Sequence, residues 1–285
     1  MEHHRLDPAA RRPNDRVEEA ELDHRRACLD RFMRVATARL DHLFGLVGAS
    51  GCGVLLTDCD GVILDQRCKD SDLTVFREWG LWPGADWSEA SEGTNGIGTC
   101  LTEKRSVTIH RDEHFFARNT GMSCMDAPVF GADGGIIAAL DVSSARVDQT
   151  EGFNRLISAM VAQTARSIEA DYFRATFPNS RIVVAHTDDS EMSVLLAVDA
   201  DDLVVGATRG ARRVFRLEPT GLLKPRPASD LFGGGDECLG FDAAERAAVM
   251  RALARAEGNV SEAARRLGIG RATLYRRMRR LHIGE

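Results

Sequence analysis

No apolar run in these 285 residues approaches the roughly 20 that a membrane-crossing helix needs. The first stretch, with Arg11, Arg12, Asp15 and Glu18, has no apolar signal core either, so a cytoplasmic chain with no membrane partner is expected. The seven cysteines are an odd number, scattered, and Cys52, Cys59 and Cys68 lack C-x-x-C spacing. That excludes a disulfide framework and argues for reduced thiols without zinc, although a redox-responsive cysteine, Cys124, stays open. A G-x-x-x-x-G-K-[ST] loop is absent, which leaves no cradle for ATP phosphates. Gly93–Gly98 reads G-x-x-G-x-G, the wrong order for a dinucleotide fingerprint. His110-Arg111-Asp112-Glu113-His114 matches the H-x-x-E-H string of zinc hydrolases. The preceding Val107, Thr108 and Ile109 favour a strand, and that string needs a helix to bring both histidines to one face. With no nucleophile–base pair or metal set in view, the chain is expected to be neither an enzyme nor a cofactor protein.

What is present is ordinary for a soluble globular chain, 44% apolar and 28% charged, and long enough for two or three small domains. The last forty-odd residues organise it. Asp242 can cap a helix over Ala243–Glu257 that Gly258 stops, and Asn259 caps a second over Val260–Leu267. A Gly268-Ile269-Gly270 turn leads into a third, Arg271–Leu281; helix, short glycine turn, helix is the signature of a DNA-reading motif. On the third helix Leu274, Met278 and Leu281 make an apolar stripe, while Thr273, Arg276, Arg277 and Arg280 share another face. Arginine's planar fork suits guanine edges and its charge suits phosphate, so these four are expected in the groove and Arg271 on phosphate. From Asp242 onward ten arginines face five acidic residues, although the whole chain carries −6, so the body is strongly acidic and the tail basic.

The run Gly258-Asn259 through Ala263-Ala264, Leu267-Gly268-Ile269, Arg271 and Thr273-Leu274 to Arg276-Arg277-Met278 resembles the Fis-type helix-turn-helix that ends many bacterial enhancer-binding regulators. The resemblance implies binding to pseudo-palindromic double-stranded DNA as a homodimer. A second resemblance lies upstream. Trp87-Ser88-Glu89, Gly93-Thr94-Asn95-Gly96-Ile97-Gly98-Thr99, Glu113-His114-Phe115, Ala127-Pro128-Val129 and Leu140-Asp141-Val142-Ser143 follow the GAF sensor domain of acetoin-catabolism (AcoR-like) regulators, over about residues 45–172. It implies a small alcohol, ketone or aldehyde held between a sheet and the helices and loops beside it. Those regulators normally carry an ATPase between sensor and helix-turn-helix, and its absence here puts sigma-54-dependent activation in doubt.

The residues support such a pocket without naming its ligand. Trp79, Trp82, Trp87, Phe115 and Phe116 fall in the loop-rich half, and aromatic walls with a few polar groups suit small organic molecules. The glycines of 93–98 allow close backbone approach, and the helix they open offers N–H donors. Trp87, Thr94, Asn95, Phe115, Phe116 and Cys124 are therefore the expected ligand contacts.

In order, residues 1–20 read as a disordered arm and 21–176 as the sensor with flanking long helices. Its first helix, Glu21–Val47, carries Leu29, Phe32, Ala36, Leu40, Leu43 and Val47 at helical spacing, either for the core or for a dimer seam. Strands are expected at Val54–Leu56, Val62–Leu64, Ser106–His110, Ser123–Phe130 and Gly135–Val142, with a long helix through Phe153–Tyr172. Residues 177–223, with strands Val194–Val198 and Leu203–Ala207 and a helix Arg209–Leu217, look like a partial PAS unit; 224–240 reads as linker and 241–285 as the DNA-binding domain. The fold class is α+β multidomain: an antiparallel sheet with flanking helices, a small α/β unit and an all-α end. The expected function is a dimeric, ligand-responsive regulator working without ATP, through RNA polymerase or a full-length relative. The alternatives are a nucleoid-type architectural DNA-binding protein with no ligand, or a redox-responsive regulator.

Overall fold

The computed structural model describes residues 6–9, 15–144, 146, 149–185, 193–199, 202–228, 231, 245–246, 248–250, 252–253, 256 and 258–283. They form two compact units, residues 1–228 and 229–285.

The first unit opens with two helices, α1 (Glu19–Cys28) and α2 (Asp30–Val47), where the periodicity predicts one. The break sits at Leu29, whose ψ of 15° leaves the helical region. It frees α1 to turn onto the next hairpin: Arg25 reaches Asp58 at 2.6 Å and Asp60 at 2.9 Å, and Arg26 donates to the Leu64 carbonyl. Strands β1 (Cys52–Thr57) and β2 (Ile63–Arg67) follow, with Asp58 Oδ1 accepting the Asp60 and Val62 amides in their turn. Next come α3 (Leu73–Glu78), α4 (Glu89–Glu92) and α5 (Gly96–Glu103), then β3 (Val107–His110), β4 (Ser123–Phe130), β5 (Ile136–Ser144) and the long α6 (Glu151–Thr176). The five strands form one antiparallel sheet in the order β2-β1-β5-β4-β3.

Strand alternation gives the sheet two different faces. On one, Val54, Leu56, Met125, Ala127, Val129, Leu140 and Val142 pack against Phe32, Ala36, Leu40, Leu43 and Val47 of α2 and Ile157, Val161, Ala165 and Ile168 of α6. The α2 stripe is thus spent on the core rather than on a seam between copies. The other face lies under α3, α5 and their loops, with Leu55, Phe76, Ile97, Cys100 and Ala139 buried there.

The chain then builds a second, four-stranded sheet from β6 (Arg181–Val184), β7 (Leu195–Val198), β8 (Leu203–Ala207) and β9 (Arg226–Pro227), with α7 (Arg209–Val214) after β8. The β7–β8 hairpin is the expected one, and its Asp199 accepts the Leu203 amide as Asp58 accepts that of Val62. Two strands exceed expectation. Arg226–Pro227 falls in the stretch read as linker, yet it pairs with β8 at the sheet edge, where proline's missing donor costs nothing. Gly206 lets the Phe177 ring lie against β8, where any Cβ would collide with it. Arg212 is buried but satisfied, donating to the carbonyls of Ala207, Glu218 and Gly221.

In the second unit α8 (Val260–Arg266) and α9 (Arg271–Arg280) meet through a turn with Gly268 at φ 67°. Asn259 caps α8, accepting from the Ser261 and Glu262 amides. The expected helix over Ala243–Glu257, with its Asp242 cap, falls largely outside the described residues. Of that stretch Val249, Ala252 and Ala256 are buried with Ala263, Ala264, Leu274, Leu281 and Ile283 in one small core.

Candidate functional site

The α3–α5 face of the large sheet should be as apolar as its opposite face, and it is not. Strands β4 and β5 turn Cys124 and Asp126, and Asp141 and Ser143, toward it, with Cys124 opposite Ser143 and Asp126 opposite Asp141. All four are buried, Asp126 and Asp141 at 1% and 0% exposure. The polar groups form a chain. His114 Nε2 lies 3.4 Å from Cys124 Sγ, Cys124 Sγ 3.1 Å from Ser143 Oγ, and Ser143 Oγ donates to Asp141 Oδ2 at 2.7 Å. Apart from the bond that the two carboxyls make with each other, neither oxygen of Asp126, nor Asp141 Oδ1, meets a donor among the described residues.

The roof over this chain is the start of α5. Asn95 holds it, its Oδ1 accepting the Gly98 amide and its Nδ2 donating to the Gly93 carbonyl, both at 2.8 Å. Gly96 sits directly on Asp126 and Cys124, and a Cβ there would collide with both. Helix and carboxyl can approach this closely only with glycine at that point.

Burial decides the protonation states. It pushes Asp126 well above the usual carboxylate range, helped by the neighbouring Asp141. It pushes Asp141 up to about 7, against the hydrogen bond from Ser143. The pair therefore holds a proton at neutral pH, so it offers one O–H donor beside several acceptor oxygens. Burial likewise lowers His114, leaving a neutral ring, and raises the thiols of Cys124 and Cys100. Among the described residues no cation stands beside Cys124, and a buried thiol of that kind forms little thiolate, which argues against a redox sensor there.

The six residues expected at the ligand divide. Asn95 and Cys124 meet at the polar chain through Gly96. Phe115, half-buried, covers Gly93 and donates its amide to the carbonyl of the half-buried Thr94 at 2.9 Å. Phe116 is fully buried, with Phe115 edge-on at 5.3 Å and the Arg118 guanidinium 4.4 Å away. Arg118 in turn fastens this loop to the buried Glu92 at 2.6 Å. Trp87 is fully buried in the same cluster as Cys124, its indole donating to the Gly80 carbonyl. Both Trp87 and Phe116 thus fill the core here, as large flat side chains do as readily as they line a cup. The residues missed are Asp126, Asp141, Ser143 and His114, and the available signal was a lone acid inside each of two otherwise apolar strands. His110 and His114 do diverge: Arg111–Glu113 is a 3-10 turn, and His110 bonds Ser123 while His114 faces Cys124.

On α9 the buried stripe is Leu274 with Met278, so the outward face centres on Ala272, Arg276 and Arg279. Arg271 and Tyr275 extend it, the guanidinium 5.5 Å from the ring. Of the expected DNA contacts, Arg271, Arg276 and Arg280 are exposed, whereas Thr273 and Arg277 are half-buried on the flank. Glu245 draws in both Arg277, at 2.9 Å, and Arg280. The exposed face is thus centred about one residue from the expected one, with Arg277 tied to its own domain and Arg279, not anticipated, exposed beside Arg276.

Comparison with known proteins agrees with both halves. The GAF domain model matches residues 32–170, and the bacterial regulatory protein, Fis family, model matches residues 241–281. The acetoin catabolism regulatory protein of Cupriavidus necator is 32% identical over 242 residues, covering 84% of this chain and 36% of that protein. The acetoin dehydrogenase operon transcriptional activator AcoR of Bacillus subtilis is 29% identical over 127 residues, 45% of this chain and 21% of that one. The chain thus spans about a third or less of the length of these relatives. Among solved structures, the E. coli DhaR(N)–DhaL complex aligns with a TM-score of 0.55 at 13% identity, covering 79% of this chain and 76% of that one, a likeness of fold alone.

Proposed function

Since the chain carries a GAF domain and a Fis-family helix-turn-helix and is homologous to acetoin-catabolism regulators, we propose that it is a transcription regulator that senses a small hydroxylated or carbonyl compound. The observation that carries the ligand class is the buried Asp126–Asp141 pair. A shared proton makes it donor and acceptor at once, which complements a molecule with a hydroxyl next to a carbonyl, or with two adjacent hydroxyls. Effector binding under α5 would displace the Gly96 roof and the loop tied to Glu92, and so bias the flanking helices. The output would be DNA occupancy by a homodimer, supported by the exposed Leu46 (55%) and Leu156 (59%) on the two long helices. With no phosphate-binding loop between sensor and helix-turn-helix, the regulator would act without ATP. It would repress, recruit RNA polymerase, or modulate a full-length relative at the same site.

Thermal unfolding of the whole protein with acetoin, butanediols, ketones and aldehydes tests this. A ligand bound only by the folded state at a hundredfold excess over Kd adds about 2.7 kcal/mol, so a selective upward shift is expected. No shift with any of them, together with DNA binding of little sequence preference, would favour an architectural protein instead.

For the DNA face, Arg276→Ala and Arg279→Ala are each expected to weaken operator binding about 10- to 100-fold at fixed salt, the loss of about 1–3 kcal/mol for a base contact. Arg277→Ala should cost less. Fluorescence anisotropy with a labelled operator ranks the three, and a ranking with Arg277 first would refute the rotated face.

A further inference from the structure

A second concave site lies in the first unit, away from the polar chain. It is a cleft of about 650 Å³ between the α5–β3 connection, the edge of β4, helix α6 and helix α7. Its size falls within the range of small-molecule sites, roughly 300–1,000 Å³. Its walls are cationic on every side: Lys104 and Arg105 from the α5–β3 connection, Arg155 and Arg166 from α6, and Arg209 and Arg213 from α7. The acid inside it is Glu169, whose Oε1 accepts the Phe130 amide at 2.9 Å. Burial pushes that carboxyl up to about 7, so it cancels less than one charge at neutral pH.

Among the described residues, the other carboxylates near these cations sit outside the cleft. Arg155 reaches Glu151 and Arg105 reaches Glu103, both exposed surface pairs of the kind that contribute little. Arg166 bonds only the neutral Gln163 among the pairs seen, and Arg209 lies flat on Phe130, 3.9 Å from its ring, with a further bond to the Lys104 carbonyl. These contacts fix the orientation of the guanidinium groups without neutralising them. Holding six like charges around one cavity is unfavourable unless something of opposite sign enters.

We propose that this cleft binds a small phosphorylated molecule, as an effector site separate from the polar chain under α5. Guanidinium forks bond phosphate oxygens two at a time, and the hydroxyls of Ser106, Thr108 and Ser158 line the same walls for the rest of the molecule. DNA is a poorer fit, because its backbone is convex and needs an extended surface rather than a pocket. Occupancy would tie α7 of the small sheet to α6 and the large sheet, across the join between the two.

The test is calorimetric titration of the full-length protein with inorganic pyrophosphate, in chloride buffer of matched ionic strength. Saturable binding at one site per chain is expected. The Arg166→Glu, Arg213→Glu double variant should weaken it at least 10-fold, while Arg276→Ala on the DNA helix should leave it unchanged. Should the double variant melt early, Lys104→Gln with Arg213→Gln, both at exposed positions, makes the same comparison. Pyrophosphate binding that survives the cleft substitutions, or that disappears with Arg276→Ala, would overturn the proposal. So would an equal loss of operator affinity in the cleft variants, which would make the cleft a DNA contact.

Discussion

Leu274→Ala is expected to abolish DNA binding, by melting the helix-turn-helix rather than by removing a contact. Leu274 is fully buried, on the inner face of the helix whose outer face carries Arg276 and Arg279. Around it Ala252, Ala256, Ala263 and Ala264 alternate with Val249, Leu281 and Ile283, and Leu253, Val260, Leu267, Ile269 and Met278 close the core from outside. Removing the central leucine leaves a cavity, and such truncations cost about 2–5 kcal/mol. A core this small rarely supplies more than about 3–5 kcal/mol in all. Loss of most of that margin unfolds the second unit while the first, with its own cores, stays folded. Two readouts are needed. Operator binding by anisotropy should vanish, and a two-step melt should show the early transition alone moving down. Retention of operator affinity within threefold would mean that Leu274 is not the keystone of this core.

The helix-turn-helix was legible because its determinants are local. Asn259 as cap, Gly258 and Gly268 at positive φ and the Leu274–Met278 stripe are all set by neighbours a few residues away. What the local pattern does not show is Glu245, a residue from another element that takes Arg277 and Arg280. A helical wheel ranks faces by charge and cannot see a partner delivered by the fold. The same limit explains the break at Leu29. Its side chain fits the apolar period, and only the distant Asp58, Asp60 and Leu64 give α1 a reason to turn.

The sensor half was legible as a sheet with helices, because β1, β4 and β5 are apolar runs bounded by glycine or aspartate turns. Its site was half legible. Asn95 and Gly96 stood out, since a cap followed by glycine announces a helix start that something must approach closely. Trp87 and Phe116 stood out by bulk, which is equally at home in a core. Asp126 and Asp141 were overlooked because each strand alone shows a single acid, which a half-exposed strand would carry on its wet side. Only the register, which puts the two opposite each other beneath α5, turns two ordinary residues into a buried, proton-sharing pair.

That pair makes the second large prediction, a loss of stability that begins near pH 4 and continues past pH 7, and that Asp126→Asn reduces at the alkaline end. In the unfolded chain both carboxyls titrate near the ordinary aspartate value of 3.8, whereas folding raises both, Asp141 to about 7. The folded protein therefore keeps protons that the unfolded chain has released. Whenever the unfolded state binds fewer protons, stability falls as pH rises. The fall begins near 4, ends once the folded pair has ionised, and is flat beyond. For Asp141 alone the span from 3.8 to about 7 corresponds to about 4 kcal/mol, on the order of 10 °C in melting temperature for a unit of this size. Asparagine at 126 cannot ionise, so it removes that residue's own share of the fall, while burial keeps Asp141 raised and the amide N–H keeps a donor beside it. The variant should match the wild type near pH 5 and exceed it clearly at pH 8, measured as melting temperature across that range. An Asp126→Asn profile parallel to the wild type would show that the pair is not the titrating element. The effector reading adds a further demand on the same curves. A hydroxylated ligand seated on the pair donates to the ionised carboxylate and replaces the missing partner. Its stabilisation should therefore be largest at the alkaline end for the wild type, and should lose part of that pH dependence in Asp126→Asn.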